Sequence, residues 1–134
     1  MKYFLAKSDP DAYSINDLKR DKNTVWDGVH SYQAIINIKK MKKGDRMFIY
    51  HSQGENSIVG LAEITSDAYE NTKDPRMSWV VEIKFLKQYE DKLTLKEIKQ
   101  SGEFNDWALV RQGRLSTMEV PEKFIKLYSK KLEL

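Results

Sequence analysis

Hydrophobic and polar residues alternate most regularly in residues 79–85. The odd-numbered positions of this segment hold Trp, Val, Ile and Phe, and two of the three positions between them are charged. A repeat of two places one face of a strand in the core and the other in solvent. The pattern therefore predicts a half-buried strand.

Three other segments have the pattern of strands. Residues 3–7 form a short hydrophobic run that ends before Pro10, a residue that cannot continue strand pairing. Residues 46–52 are apolar on both faces, which is typical of a central strand. Residues 58–64 follow a polar turn and predict a return strand, in which Gly60 marks a bulge or a close approach.

Four segments predict short helices. Ser14 and Thr94 each precede an acidic residue by three positions, the capping-box pattern of a helix start, and these helices are expected to end near residues 20 and 100. Ser31 is the expected cap of the main helix, residues 32–43, whose apolar positions recur at helical spacing. Pro121 is expected in the first turn of the last helix, whose predicted buried face contains Phe124, Ile125, Leu127 and Tyr128.

The order of these elements indicates the fold class. About five strands and four helices follow one another without a sustained β-α-β alternation, which disfavours a doubly wound sheet. The polar segments 21–23 and 67–76 are predicted loops, and residues 109–116 are expected to form a loop that leads into a short strand. We therefore expect an α+β protein with a strongly curved or barrel-like sheet flanked by helices. Its 134 residues are expected to form a single domain, residues 1–134.

Residues 25–34 are unusually rich in side chains that can bind a ligand. Two aromatic rings, a carboxylate, an imidazole and an amide occur within ten positions. This mixture suits the rim of a pocket for a flat, polar ligand such as a nucleobase. The alternative is that Trp26 and Tyr32 are core residues and that Ser31 only caps the helix, because buried aromatic residues are common.

Composition excludes several kinds of site. The chain has no cysteine, which excludes disulfides, thiolate zinc sites and a cysteine nucleophile. Two histidines disfavour a catalytic zinc site, and no cofactor is expected. The N-terminal residues lack the apolar run of a signal peptide and no segment is long enough to cross a bilayer. We therefore expect a cytoplasmic monomer that does not bind membranes.

Charge permits a nucleic-acid partner but restricts it to a local site. The 23 basic residues nearly balance the 20 acidic ones, and the net charge is +3. The densest basic cluster comprises Lys39, Lys40, Lys42 and Lys43, near the predicted end of the main helix. These lysines either bind phosphates or complement the helix dipole. Arg111 and Arg114 flank Gln112-Gly113, an arrangement that can hold a phosphate.

Catalytic motifs are weak in this chain. Asp27 with His30 is a possible acid–base pair, and His51 next to Ser52 is a possible base and nucleophile. Neither pair has a recognisable third member, and adjacent residues of a strand face opposite ways. Binding has more support, because aromatic rings for stacking a base occur with neutral polar groups for its edge. The rings are Trp26, Tyr32 and Trp79, with Tyr50 or Trp107, and the polar residues are Ser8, Ser31, Gln33 and Ser52.

The ordered motifs of the chain resemble those of the EVE domain family, within the PUA-like and YTH-like superfamily. They are Lys7-Ser8-Asp9-Pro10, Trp26-Asp27-Gly28-Val29, Tyr32-Gln33-Ala34, Gly44-Asp45-Arg46, Tyr50-His51-Ser52, Val59-Gly60 and Arg114-Leu115-Ser116. Together they span nearly the whole chain. The chain departs from the family at His30-Ser31 and Ile35-Ile36, where the family often has Arg-Asn. Asp9 replaces the usual glutamate, and residues 117–120 also differ.

The resemblance implies a mixed pseudobarrel of five to six strands flanked by short helices. It also implies a reader module whose pocket holds a flipped, modified base, with modified cytosine in DNA as the expected ligand. The expected ligand-binding residues are Lys7, Ser8, Trp26, Gly28, Val29, His30, Ser31, Tyr32, Gln33, Ser52, Trp79, Arg114 and Ser116. Lys39, Lys40, Lys43 and Arg111 are the expected contacts to the nucleic-acid backbone.

Three other functions compete with a DNA reader. Superfamily relatives read modified bases in RNA, so the partner can be RNA. The same pocket can also belong to a base- or nucleoside-processing enzyme, or to a domain that binds a small molecule. A protein–protein adaptor is the third alternative, and it would expose an apolar patch without salt-dependent affinity for nucleic acid.

Overall fold

A computed structural model describes all 134 residues. The chain forms seven strands and five short helices. The strands are β1 (Tyr3–Ser8), β2 (Asn23–Trp26), β3 (Arg46–His51), β4 (Ser57–Ile64), β5 (Tyr69–Glu70), β6 (Trp79–Thr94) and β7 (Thr117–Glu119). The helices are α1 (Ile15–Asp21), α2 (Tyr32–Lys39), α3 (Leu95–Gln100), α4 (Ala108–Arg111) and α5 (Glu122–Tyr128).

All seven strands belong to one sheet. Six of them follow the order β2-β6-β4-β3-β1-β7, and β5 adds to β6. β1 and β3 are parallel, whereas every other pair is antiparallel. The apolar strand β3 lies between β4 and β1, as its pattern predicts, and five of its six residues are buried. β2 and β7 are the two ends of this order, yet residues of β1 and β2 and the residue before β7 line one cleft, so the sheet curves round to bring its ends together.

Gly60 confirms the predicted close approach within β4. A Cβ atom at this position would lie 2.2 Å from Ile15 Cδ1 and 3.0 Å from the Lys87 carbonyl oxygen. The pairing of β4 with β6 shifts register between Ile58 and Gly60. Helix α1 therefore packs against the sheet where β4 has no side chain, and the register shift belongs to the same irregular region.

The strand predicted at 79–85 is nine residues longer than its pattern indicates, because β6 continues to Thr94. A second register shift, between Leu61 and Ala62, interrupts the inside–outside alternation that identifies a strand. The sequence pattern predicts neither β2, of which only Asn23 falls in a predicted loop, nor β5, which lies within the predicted loop 67–76. β2 has only four residues, two of which are exposed, and both residues of β5 are exposed. Pairing with β6, rather than a hydrophobic pattern, makes them strands.

The predicted helix starts are confirmed at α1, α2 and α3. The Ser14 and Thr94 hydroxyls accept hydrogen bonds from the amides of Asp17 and Glu97, and both capping boxes are complete. The Ser31 hydroxyl accepts from the Ala34 amide at 3.3 Å. These caps depend on contacts within four residues, which explains why the sequence predicts them.

Two helix predictions are wrong at their C-terminal halves. α2 ends at Lys39 rather than at residue 43, and the buried Asp45 carboxylate accepts a hydrogen bond from the Lys42 amide at 2.9 Å. In α5, Pro121 is the N-cap, and Leu127 is 52% exposed rather than buried. α4 lies in a segment predicted as loop. None of the five helices combines the length and the apolar composition that crossing a bilayer requires.

Candidate functional site

A cleft of about 550 Å³ opens where β1 and β2 end. Residues from four parts of the chain line it: the end of β1 with the start of the following turn, the two residues before the Ser14 cap of α1, β2 with the loop after it, and the residue before β7. They are Lys7, Ser8, Asp9, Ala12, Tyr13, Thr24, Val25, Trp26, Asp27, Gly28, Val29 and Ser116. The structure thus brings together Lys7, Ser8, Trp26, Gly28, Val29 and Ser116 from the predicted set.

Trp26 is both a core residue and a wall of the cleft. Its side chain is 7% exposed and belongs to the main hydrophobic cluster. The Tyr13 ring meets it edge to face, with ring centroids 6.4 Å apart and planes at 80°. Trp26 is therefore a core residue that also lines the cleft, and its contact with a ligand stays a prediction. A buried ring held by packing is a rigid surface for a flat ligand.

Lys7 places a partly buried ammonium group in the cleft. Its Nζ donates a hydrogen bond to the Gly113 carbonyl at 3.0 Å and lies 5.7 Å from the centroid of the Tyr50 ring. Burial lowers the pKa of Lys7 and raises the pKa of Tyr50 to about 12, because each charged form loses hydration. The Lys7 contact also ties the cleft to the loop at residues 112–115.

The hydroxyl groups around the end of β1 differ in what they can offer a ligand. The Ser8 Oγ donates to the Tyr13 carbonyl at 2.5 Å, which joins β1 to the start of α1. The Ser52 Oγ donates to the Ser8 carbonyl at 3.4 Å. Ser52 is not part of the cleft lining. Its hydroxyl contacts the end of β1 instead, and its contact with a ligand stays a prediction.

A second concavity, of about 410 Å³, lies next to the cleft and is called the Arg114 groove. Its lining residues are Ser31, Gln33, Gln112, Gly113, Arg114 and Leu115. Lys7, from the cleft, bonds to the Gly113 carbonyl, and the Lys7 amide donates to the Ser116 carbonyl at 2.8 Å. The structure therefore places Ser31, Gln33 and Arg114 beside the cleft rather than inside it.

His30 pairs with Asp74 and Arg76 rather than with Asp27, the partner that the sequence predicts. Its Nε2 lies 2.6 Å from the Asp74 carboxylate, and its Nδ1 lies 2.8 Å from the Arg76 guanidinium. The hydrogen bond from His30 lowers the pKa of Asp74, followed by one from the Arg76 amide. His30 therefore fastens the 71–78 loop to residues 28–31, and it is absent from the cleft lining. The predicted Asp27–His30 pair is not formed.

His51 is likewise a structural residue. Its Nε2 accepts a hydrogen bond from the Ile15 amide at 3.0 Å, and its Nδ1 lies 3.0 Å from the Glu55 carboxylate. The side chain is buried, and both ring nitrogens are occupied. No nitrogen remains to activate the neighbouring Ser52, so the predicted base–nucleophile pair is not formed.

Two predicted aromatic members lie outside the cleft. Tyr32, the first residue of α2, is 82% exposed. The half-buried Trp79 ring lies beneath the Lys39 ammonium, with Nζ 4.5 Å from the ring centroid. Neither residue lines the cleft, so the structure does not group these two rings with Trp26 there, and ligand binding by Tyr32 and Trp79 stays a prediction. Trp107, the third tryptophan, packs on Phe104 and Phe124.

The basic residues predicted to contact the nucleic-acid backbone have separate partners within the protein. Lys39 covers Trp79, Lys40 lies 3.3 Å from the Glu119 carboxylate, and Arg111 lies 3.7 Å from Asp106. Lys43 is exposed in the turn after α2. The contacts at Lys39 and Lys40 leave fewer free charges at the end of α2 than the sequence suggests.

Sequence reasoning missed Tyr13 and Thr24 as cleft residues. Thr24 belongs to β2, a strand that the sequence pattern does not predict, and pairs with Ile83 of β6. Tyr13 precedes the Ser14 cap, and its hydroxyl donates to Asp21 at 2.8 Å. A polar residue next to a confirmed cap was the only available signal for Tyr13.

Other concavities of similar size occur elsewhere on the surface, including one of about 560 Å³ around residues 55–56 and 94–100. A wider concavity of about 670 Å³ lies around residues 102–108 and 119–123, where Glu103 is already paired with Lys123 at 2.6 Å. No three His, Asp or Glu side chains come together in a way that could hold a metal ion.

The chain is similar to known proteins in both sequence and structure. The EVE domain model matches residues 2–130. The chain is 33% identical to thymocyte nuclear protein 1 of Gallus gallus, in an alignment that covers 90% of this chain and 64% of that protein. It therefore spans less than two thirds of this relative's length.

Two solved structures have the same fold along their whole length. Rpa0253 of Rhodopseudomonas palustris is 32% identical, with a TM-score of 0.87, and the match covers 99% of this chain and 94% of that one. The human THYN1 protein, in complex with DNA containing 5-methylcytosine, is 25% identical with a TM-score of 0.86, covering 100% and 99%. The expected PUA-like α+β fold is confirmed, with seven strands rather than five or six. The chain belongs to the EVE domain family.

Proposed function

We propose that this EVE domain binds DNA and recognises a modified cytosine in the cleft, without catalysing a reaction. The observation that supports it most is the cleft itself, whose lining combines the packed ring of Trp26 with a lysine and two aspartates. The human THYN1 protein, which has the same fold, is in complex with DNA containing 5-methylcytosine. The proposal transfers that ligand class to this chain.

The polar groups of the cleft suit cytosine. Asp9 and Asp27 supply carboxylates that accept hydrogen bonds, and both residues are exposed. Carboxylates pair with the N4 amino group of cytosine. Lys7 supplies a hydrogen-bond donor for the ring carbonyl or the N3 atom of cytosine. Thymine would instead place its O4 atom, an acceptor, against the carboxylates, which are also acceptors. Asp27 is the better candidate, because one Asp9 oxygen already accepts from the Asp11 amide at 2.9 Å.

Access to the cleft requires an extruded base. The volume of about 550 Å³ is typical of sites that enclose one small molecule, about 300–1,000 Å³. A base stacked in a duplex cannot reach a concave site of this kind. We therefore expect the target base to leave the stack, at a cost of about a few kcal/mol.

Asp27→Ala tests the proposal. We expect the affinity for free 5-methyl-2′-deoxycytidine to fall about 10- to 100-fold, because a hydrogen bond to a charged group is lost. Calorimetry with the nucleoside avoids the compensating effect of removing a negative charge near phosphates. Asp106→Ala is the matched control, because the Asp106 side chain is fully exposed near Arg111, away from the cleft. Equal affinities of both variants and the wild type would contradict recognition by Asp27.

Matched oligonucleotides test the ligand class. DNA containing 5-methylcytosine, unmodified DNA and the corresponding RNA should bind in that order of decreasing affinity. Tighter binding of modified RNA would instead favour the RNA reader. Mass analysis of the incubated oligonucleotides tests the absence of catalysis, and a product that disappears in Asp27→Ala would establish an enzyme. Light scattering with and without DNA tests the proposal that the protein acts as a monomer.

A further inference from the structure

Tyr32 is an aromatic ring without a place in the core. It is 82% exposed, the highest exposure of any large hydrophobic residue in the chain. A tyrosine in this position gains little of the free energy that burial of its ring in the core would provide. The chain places it at the first position of α2, between Ser31 and Gln33, which both line the Arg114 groove.

Tyr32 lies within reach of a nucleotide that follows the one in the cleft. Val29 lines the cleft and precedes Tyr32 by three residues, so their Cα atoms are at most about 11 Å apart. The Arg114 groove lies next to the cleft, with Lys7 bonded to its Gly113 carbonyl. Tyr32 is not itself part of the groove lining, but its chain neighbours Ser31 and Gln33 are, so a strand that leaves the cleft toward the groove comes close to it.

The surface beyond Tyr32 continues the same path. Ile36 is one helical turn later on the same face of α2 and is 39% exposed. Arg114 is exposed in the groove beside Gln33. An exposed ring, with an exposed cation in the adjoining groove, combines the two features by which single-stranded nucleic acids are held, stacking on rings and charge along the backbone.

We infer that Tyr32 stacks on the base next to the one held in the cleft, outside the pocket. This inference rests on the proposed function. The site would then engage at least two nucleotides, with the first recognised in the cleft and its neighbour held by stacking. Stacking is tolerant of sequence, because every base has a flat face. Tyr32 therefore contributes affinity for the strand rather than preference for the modification.

The test uses the full chain and DNA with 2-aminopurine placed next to 5-methylcytosine, on either side in separate oligonucleotides. Wild-type protein should quench the probe on one side through contact with the Tyr32 ring. Tyr32→Leu should remove the quenching and weaken oligonucleotide binding roughly 5- to 150-fold. Tyr32→Phe should retain both properties, because the ring and not the hydroxyl makes the contact.

Two controls separate this inference from the proposed function. Free 5-methyl-2′-deoxycytidine has no neighbouring base, so Tyr32→Leu should bind it with wild-type affinity. Tyr69→Leu removes the other exposed tyrosine, which lies on β5, and should leave oligonucleotide binding unchanged. Wild-type oligonucleotide affinity in Tyr32→Leu, or an equal loss with the free nucleoside, overturns the role of Tyr32. Failure of the wild-type protein to bind either ligand overturns the proposed function.

Discussion

At the scale of single residues, Gly60 shows how one missing side chain controls packing. Gly60→Ala would place a Cβ atom 2.2 Å from Ile15 Cδ1 and 2.8 Å from Ile15 Cγ1. We expect the free energy of unfolding to fall by about 1–3 kcal/mol, as in other overpacked cores. Urea unfolding measures the change as a lower midpoint at constant slope.

Gly113→Ala is the matched control for this prediction. A Cβ atom at Gly113 meets nothing within 4 Å, so the midpoint should stay near the wild-type value. Adding Ile15→Val to Gly60→Ala removes Cδ1 and should recover part of the loss, whereas independent effects would simply add. A double variant no better than the sum of the two single variants would contradict the proposed clash.

Trp26 illustrates a residue whose two roles must be separated by experiment. Because the ring is 7% exposed, Trp26→Ala should reduce the free energy of unfolding by about 3–5 kcal/mol. Loss of DNA binding in that variant would therefore say little about the cleft. Trp26→Phe retains an aromatic wall, and it should keep more stability while weakening nucleoside binding. Thermal unfolding and calorimetry on the same samples distinguish the two effects.

At the scale of elements, the two capping boxes make comparable local contributions. Ser14→Ala and Thr94→Ala each remove a hydroxyl that accepts a backbone hydrogen bond at 3.1 Å. Each should reduce the free energy of unfolding by about 0.5–2 kcal/mol. Thr72→Ala, at an exposed loop position, should change it by less than about 0.5 kcal/mol. An effect of Thr72→Ala as large as the others would show that hydroxyl loss alone, rather than capping, is responsible.

At the scale of the whole molecule, carboxylates that pair with basic side chains in the folded state make the free energy of unfolding depend on pH. Hydrogen bonds from Lys92 and then from His51 lower the pKa of Glu55. A folded-state pKa below the unfolded one stabilises the protein above about pH 4, and this stability is lost as the pH falls through the folded value. The urea midpoint should therefore fall between about pH 5 and pH 3. Glu55 is partly exposed, so solvent screening keeps its share of this fall small.

Glu55→Gln isolates that contribution. The variant should be less stable at pH 7 and should lose less of its stability on acidification than the wild type. Glu70→Gln, at an exposed position of β5, should follow the wild-type curve. Identical pH curves for the wild type and Glu55→Gln would contradict the linkage.

The proposed DNA complex should also depend on salt. Phosphate contacts release counterions, so the logarithm of the affinity should fall linearly with the logarithm of the salt concentration. Arg114→Gln should reduce the slope by about 1, the effect of losing one phosphate contact. Lys130→Gln, at an exposed residue after α5, should leave the slope unchanged. A slope unaffected by Arg114→Gln would place the backbone elsewhere.

Much of the fold can be predicted from the sequence because its signals are local. Ser14, Ser31 and Thr94 cap helices through contacts within a few residues, and the alternation that begins at Trp79 marks a strand. The short strands β2 and β5 could not be predicted, since their pairing with β6 involves residues distant in the chain. The same limit explains the late end of β6, whose last residues pair with Ser57 and Ile58 of β4.

The sequence by itself determined the family, through its ordered motifs, and the residue types available at the candidate site. Tertiary structure decided which of these residues line the cleft and which lie outside it. It placed Trp26, Lys7 and Ser8 in the cleft, paired His30 with Asp74, and left the Tyr32 side chain exposed to solvent. The physical reason is that a cleft is formed by segments that sheet pairing brings together. A motif specifies which side chains are present, but the direction of each depends on strand ends, caps and partners outside that motif.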